Sequence, residues 1–290
     1  CLHGPAALTS AGPAAAAPGA ALLVAKEDRY GGVEVEVPAD AAAAPLERFE
    51  GELQRGLEAW RGREKEGVWL KIPTACARFV GPAVAQGFVY HHAVPEYALL
   101  TQWLPSTPSH LPQYSFTRIG VGGVVVNHKG EVLMVQERVA PLPKLQGSWK
   151  LPGGLAEPGE DFAETAQREV QEETGVTSRF EGLVSLRHTH GMSFNQGDVY
   201  VVVKLRAEEE KLTLDRHELQ RARWMSPGQI EALVAGQGQS LHGRVSANQW
   251  RIIRSALEGT LIAGTEVPNS QGSRPTMLYS APAPNRTRQE

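Results

Sequence analysis

The sequence predicts two α/β domains in tandem, the smaller one first. At 290 residues the chain exceeds the usual length of one domain. Between Tyr30 and Leu104 the apolar residues recur at every second position, then at three- and four-residue spacing, then at every second position again, in the order β-α-β-α-β. Residues 105–115 then hold three prolines among serines, a polar linker, and beyond it strand and helix patterns start afresh. The expected layout is a disordered leader at 1–27, a leading α/β domain at 28–105, a linker at 106–115, a second α/β domain at 116–235, and a helix with a disordered tail at 236–290.

Each element has a local reason. The first 25 residues are rich in Ala, Gly and Pro and lack acids and arginine, which reads as low-complexity leader; a transit peptide would carry more Arg and Ser. Val33, Val35 and Val37 alternate with Glu34 and Glu36, the period of a half-buried strand. Leu46, Phe49, Leu53, Leu57 and Trp60 line one face of an amphipathic helix. Residues 67–72 predict a buried strand, 75–86 a short helix ended by Gly87, and 88–104 strand interrupted near Pro95. Trp60, Trp69 and Trp103 predict an apolar cluster able to cover one side of a cleft or to receive a second copy of the chain. No glycine-rich phosphate loop precedes a helix here, so this domain is expected to support chemistry rather than perform it.

Past the linker, strands are expected at 119–126 and 131–136 around an Asn127-His-Lys-Gly130 turn, and again at 180–188, 198–205 and 219–224. Helices are expected at 161–174, 227–235 and 247–257, with a disorder-like tail from about Gly264.

Composition narrows the partners. A net charge of -3 and a pI near 6.4 give no basic field for nucleic acid or acidic membrane. Two cysteines, Cys1 and Cys76, exclude a disulfide framework and favour a reducing compartment: cytoplasm is expected, with mitochondrion and chloroplast as alternatives. No apolar run reaches the length of about 18 residues that a membrane span requires. The start at Cys1 rather than Met reads as a fragment or a processed product.

The informative segment runs from Gly154 to Val176. Pro158-Gly159 marks a turn, good helix formers follow, and Gly175 ends the helix. On a wheel of about 100° per residue, Phe162, Ala163, Ala166 and Val170 form the apolar sector, Glu169 and Glu173 fall on its edge, and Glu172 lies beside them. Carboxylates gathered beside a core cost desolvation and mutual repulsion, so the cluster calls for a cation. Oxygen donors at i, i+3 and i+4 suit Mg²⁺ or Mn²⁺ better than zinc. An isolated Glu-x-x-Glu-Glu is more often an exposed acidic stripe, but this pattern is longer.

Gly154, Glu160, Arg168, Glu169, Val170, Glu172, Glu173, Gly175 and Val176 match all nine specified positions of G-x5-E-x7-R-E-U-x-E-E-x-G-U, where U is a bulky aliphatic residue. The segment resembles the Nudix box. Tyr30 to Val33, 67–73, 87–92 and 148–154 extend the likeness to the two-domain Nudix group of plant ADP-ribose and NADH pyrophosphatases and the animal Nudix protein encoded antisense to a fibroblast growth factor. The resemblance implies a Nudix α/β/α sandwich with a mixed sheet, preceded by a smaller, acetyltransferase-like α/β domain.

It also implies roles. Glu172 and Glu173 would be metal ligands, Glu169 a ligand or the base that activates water, and Glu160 an outer carboxylate. Arg168 would orient the carboxylates, and the Gly153 carbonyl would join the metal shell. Glu218, six residues before Trp224-Met225, is a further metal candidate by its spacing, with an ordinary exposed glutamate the equal alternative. Trp149 and Lys150 belong to the likeness upstream of the box and are candidate substrate contacts, Trp149 or Phe194 by stacking on adenine, with ordinary core as the other reading. His188 and His190 share a strand face and are candidate substrate contacts too, whereas adjacent His91 and His92 read as structural.

The implied activity is metal-dependent hydrolysis of a nucleoside diphosphate linked to another moiety, ADP-ribose or NADH foremost, releasing AMP and the phosphorylated remainder. The alternatives are mRNA decapping, which the acidic pI disfavours, and a non-catalytic nucleotide sensor, which the complete box disfavours. Implied partners are a small nucleotide, capped RNA as the one nucleic-acid exception, and a second copy of the chain in a homodimer.

Overall fold

The computed structural model describes residues 21–281 apart from 141, 192, 238–242, 271 and 273. Residues 1–20 of the leader expected at 1–27, Cys1 included, and residues 282–290 of the expected tail lie outside that range. The chain divides into two compact units, 1–115 and 116–290.

In the first unit, strands β1 (Val24–Glu27) and β2 (Val33–Glu36) are followed by helix α1 (Leu46–Gly62) and strand β3 (Gly67–Pro73). A 3-10 turn at Thr74–Phe79 runs into helix α2 (Val80–Ala85), and strands β4 (Val89–Ala93) and β5 (Tyr97–Trp103) complete the sheet in the order β1-β2-β3-β5-β4. Only β2 and β3 pair in parallel, and α1 is the crossover that a parallel pair requires. The apolar stripe of α1 buries Phe49, Leu53, Leu57 and Trp60 against Val33, Val35, Val68, Leu70 and Ile72, and Phe49 stacks on Phe79 at 4.5 Å. Cys76 is fully buried there, its thiol turned to the carbonyls of Pro38 and Ala39, and burial raises its pKa.

Three expectations are corrected in this unit. The leader does not extend to residue 27, because Val24–Glu27 is a strand antiparallel to β2 and Leu22 is buried in the core. All four side chains of β1 are exposed, so it has no apolar period to read. The segment expected as one helix at 75–86 divides between 3-10 and α geometry, with a kink at Cys76. Trp60, Trp69 and Trp103 do not form one cluster: Trp60 lies in the core, whereas Trp69 and Trp103 fall on the opposite sheet face, where Trp103 stacks on His110.

The second unit holds β6 (Thr117–Val126), β7 (Val132–Glu137), β8 (Gly153–Leu155), α3 (Phe162–Thr174), β9 (Ser178–Thr189), β10 (Gly197–Ala207), β11 (Leu219–Met225), α4 (Pro227–Val234), α5 (Ala247–Glu258), β12 (Ala263–Val267) and β13 (Thr276–Ser280). The main sheet runs β11-β7-β6-β10-β9, with β8 against β6. It is mixed, since β6 and β10 are parallel and the other pairs antiparallel. Val121 and Val125 of β6 join Ala166 and Val170 of α3 on one face, while Val124 and Val126 join Ile230 of α4 and Ile253 of α5 on the other. Burial on both faces explains why β6 reads as a run of valines instead of an alternation.

The boundary expected at 235 and the disordered tail expected from Gly264 are also corrected. Ile253 and Ala256 are buried in the same core as Val124 and Met134, and β12 pairs with β13 across residues 263–280. Strands of five residues whose side chains are mostly exposed have the composition of a tail. Among the described residues, no helix is long and apolar enough to cross a membrane.

Because α5 completes one face of the second core, Ile253→Ala is expected to cost about 2–5 kcal/mol of stability, measured by urea unfolding of the full chain. A loss below about 0.5 kcal/mol would place α5 outside the core.

Candidate active site

The loop between β8 and α3 and the first turn of α3 are built by capping. Asp161 is the N-cap, and its backbone N–H donates to Glu164 three residues on, at 2.8 Å. At the other end Gly175 takes a left-handed conformation, φ 73°, and its N–H donates to Gln171. The N–H groups of Thr213 and Asp215 donate to the carbonyls of Thr174 and Glu173, so the segment before β11 closes the helix end.

Between those ends the carboxylates gather around one guanidinium. Arg168 Nε donates to Glu160 Oε1 at 2.6 Å and Nη2 to Glu160 Oε2 at 2.9 Å, a bidentate pair. Its Nη1 donates to Glu169 Oε1 at 2.9 Å and to Glu172 Oε2 at 3.2 Å, and Nη2 also reaches the Leu155 carbonyl at 3.1 Å. Glu160 accepts further bonds from the Glu157 N–H at 2.9 Å and the Thr165 hydroxyl at 3.0 Å. These donors, Arg168 first, draw the Glu160 carboxyl down to about 2.

Glu173 has the opposite environment. It is only 4% exposed, accepts a hydrogen bond from the Gly153 N–H at 3.1 Å, and has the Lys150 ammonium 3.9 Å away. Burial pushes its carboxyl up to about 7, Glu169 and Glu218 push in the same direction, and Lys150 and Gly153 only partly oppose them. Glu169 is raised as well, by burial first and then by Glu172 and Glu218 against the pull of Arg168. Glu218, though exposed, thus sits close enough for its charge to act on both Glu169 and Glu173. Glu172 has a side chain 62% exposed.

Gly153 has φ 144°, and a Cβ on it would collide with the Val121 carbonyl; a Cβ on Gly154 would run into the Glu169 carboxylate. The two glycines therefore bring bare backbone against the carboxylates. Among the described residues, no three His, Cys, Asp or Glu side chains already stand in ligating positions. The donor set is nonetheless all oxygen, with two carboxylates raised by burial and by their acidic neighbours, which suits a hard divalent cation.

The remaining candidates divide. Lys150 joins the site, its ammonium 2.6 Å from Glu137 and facing Glu173. Trp149 does not: it is 3% exposed and packed among Val124, Met134 and Val245, so its expected stacking on adenine is corrected to a core role. His188 and His190 are exposed on the edge strand β9 and its end, rings 4.2 Å apart. Phe194 stands 93% exposed on a 3-10 turn, Ser193–Asn195.

Two groups at the site had not been expected. Glu137, at the end of β7, partners Lys150. Tyr200 of β10 stands over β6, where a Cβ on Gly122 would collide with its hydroxyl; burial pushes that hydroxyl up to about 12, and Glu173 adds to the shift. Glycines at 120, 122 and 123 in a valine strand were the available signal that another side chain crosses there.

An α/β/α sandwich with this helix, loop and carboxylate cluster can be placed. The NUDIX domain model matches residues 116–247 and a Nudix hydrolase domain model matches residues 23–104. The chain belongs to the Nudix hydrolase family. It is 38% identical to Nudix hydrolase 8 of Arabidopsis thaliana, over 77% of this chain and 60% of that protein. It is 38% identical to human nucleoside diphosphate-linked moiety X motif 6, over 71% of this chain and 66% of that protein. Against Nudix hydrolase 5 of Arabidopsis thaliana the identity is 36%, over 80% of this chain and 74% of that protein. The chain thus spans under two thirds of the first two relatives.

The Glu160 environment has a measurable consequence. Its pKa is depressed on folding, so the stability it contributes is present above the ordinary value of 4.5 and is lost as pH falls toward about 2. Between pH 5 and 2.5 the wild type should lose about 2 kcal/mol more than Glu160→Gln does, read from urea midpoints. Parallel pH profiles would show that the Arg168 pair holds no net charge energy.

Proposed function

We propose that this chain is a divalent-metal-dependent pyrophosphohydrolase that cleaves a nucleoside diphosphate linked to another moiety, with ADP-ribose and NADH as the favoured substrates. The observation that carries the reading is the pair of carboxylates raised by burial, buried Glu173 and half-buried Glu169, set against glycine backbone and facing more negative than positive charge. Membership in the Nudix hydrolase family supports the reaction class, since such hydrolases generally use divalent metals such as Mg²⁺. The name of the human relative, nucleoside diphosphate-linked moiety X motif 6, supports the substrate class.

In this reading Glu169, Glu172, Glu173 and the Gly153 carbonyl hold Mg²⁺ or Mn²⁺, with Glu218 completing the set. The bound metal supplies charge neutralisation at the bridging phosphates and acidifies a water. Arg168 holds Glu169 and Glu172 in the orientation needed, and Glu160 holds Arg168. Lys150 presents a cation beside Glu173, where a phosphate oxygen can approach. Glu169, raised yet still held by Arg168, is the carboxylate placed to take a proton from the attacking water if it is not itself a ligand. The products from ADP-ribose are AMP and ribose 5-phosphate, and from NADH they are AMP and reduced nicotinamide mononucleotide.

Incubation of the purified chain with Mg²⁺ and a panel of ADP-ribose, NADH, NAD⁺, coenzyme A, dinucleoside polyphosphates and capped RNA, with product analysis, tests the assignment. AMP should appear from the first two, EDTA should abolish it, and Mn²⁺ should restore it better than Zn²⁺. Glu173→Gln should lower kcat on the order of 10²–10³-fold with the fold intact by circular dichroism. Turnover of capped RNA alone would move the reading to decapping, and no turnover of any member would favour a sensor.

Metal affinity should also follow pH. Glu173 must be ionised to act as a ligand, and burial pushes its carboxyl up to about 7. Mn²⁺ affinity by calorimetry should therefore weaken by about tenfold per unit as pH falls below 7, with proton release on binding. An affinity flat from pH 5.5 to 8 would remove Glu173 from the ligand set.

A further inference from the structure

The turn that leads into α3 is held from outside by the C-terminal strand pair. Leu183 of β9 and Ile262 exchange both backbone hydrogen bonds at 2.9 Å, which fastens the start of β12 to the edge of the main sheet. Tyr279 of β13 stacks on Phe162 at 5.2 Å and meets the Phe180 ring edge-on at 6.3 Å. Between these two anchors Arg274 donates to the Gly159 carbonyl, to Asp161 Oδ2 at 2.8 Å and to Glu164 Oε2.

Those three acceptors are the turn, the N-cap and the third residue of α3, the groups that decide where the helix starts. A cation at a helix N-terminus is opposed by the helix dipole. Arg274 sits there because two carboxylates and a carbonyl converge on it, and its grip holds the Glu164 carboxyl below the ordinary value. Glu160 lies between Gly159 and Asp161, both of which Arg274 touches, and Glu160 carries the bidentate pair with Arg168. A continuous set of contacts therefore runs from Arg274 through the turn and Glu160 to Arg168 and Glu169.

We propose that Arg274 is a positioning residue of the candidate active site: it fixes the turn at 159–161 so that Glu160 keeps Arg168, and with it Glu169, in register. It touches no reacting group. The kinetic part of the test rests on the hydrolase reading above; the backbone part does not.

Amide hydrogen exchange of the full chain, run beside steady-state kinetics on whichever panel substrate is turned over, tests this in wild type, Arg274→Ala and Arg274→Lys. Arg274→Ala should speed exchange at 159–163 about threefold to tenfold, leave strands β2 and β3 unchanged, and lower kcat by about the same factor at unchanged KM. Arg274→Lys should recover part of both losses, since it keeps the charge without the fork. In a Glu164→Gln background, which keeps the capping acceptor but removes its charge, the effect of Arg274→Ala should fall by about half. Should Arg274→Ala fail to fold, Arg274→Lys and Glu164→Gln supply the comparison.

Unchanged exchange at 159–163 overturns the proposal whatever the kinetics show. A lowered Tm with kcat unchanged well below melting also overturns it, because Arg274 would then only staple the fold. If the wild type turns over no panel member, the reaction assignment fails and faster exchange at 159–163 still upholds the positioning of the turn.

Discussion

The Arg168 guanidinium sits among three carboxylates of the loop and helix, and that placement makes the rest of the second unit feasible. A helix carrying Glu164, Glu169, Glu172 and Glu173 has to bury one face against the sheet to earn its stability. Burial raises the cost of each negative charge near that face. Arg168 spends its N–H groups on Glu160, Glu169, Glu172 and the Leu155 carbonyl, so one side chain joins the loop, β8 and two turns of α3. A lysine could supply the charge but not the fork, because its donors lack the planar spacing that matches two carboxylates at once.

Around that centre the glutamates divide by surroundings. Glu160 is supplied with donors that draw its carboxyl down to about 2, which suits a group that holds others in place. Glu173 and Glu169 accept too few bonds to offset burial and acidic neighbours, and both carboxyls are raised, which suits groups whose charge is to be used by something that arrives later. Environments that pull like groups in opposite directions mark a division of labour, here within one helix and its entry loop.

Much of this was legible in the sequence because it is periodic or locally spaced. The apolar rhythm of α1 and the turn, cap and glycine stop of α3 are written within a few residues of where they act. The carboxylate spacing likewise put Glu169 and Glu173 together. What could not be read depends on pairing and packing with other elements of the chain. β1 is an edge strand with every side chain in solvent, so pairing with β2, not pattern, makes it a strand. Trp149 looked like a ring available to a ligand, but it lies in one buried cluster with Val124, Met134 and Val245, brought together from distant parts of the chain. Arg274 lies 113 residues from Asp161, in a stretch whose composition resembles disorder. Tyr200 was announced only indirectly, by glycines on the neighbouring strand.

Cys76 allows the two units to be followed separately. It is the single free cysteine among the described residues, fully buried in the first unit, and its thiol pKa is raised. A thiolate is the reactive form, so a maleimide or disulfide reagent finds almost none of it until the first unit opens. The labelling rate at this position is then a clock for opening of the leading unit alone, silent to events around α3. Added nucleotide or metal that slows the clock would reveal thermodynamic communication between the units without any label at the carboxylates.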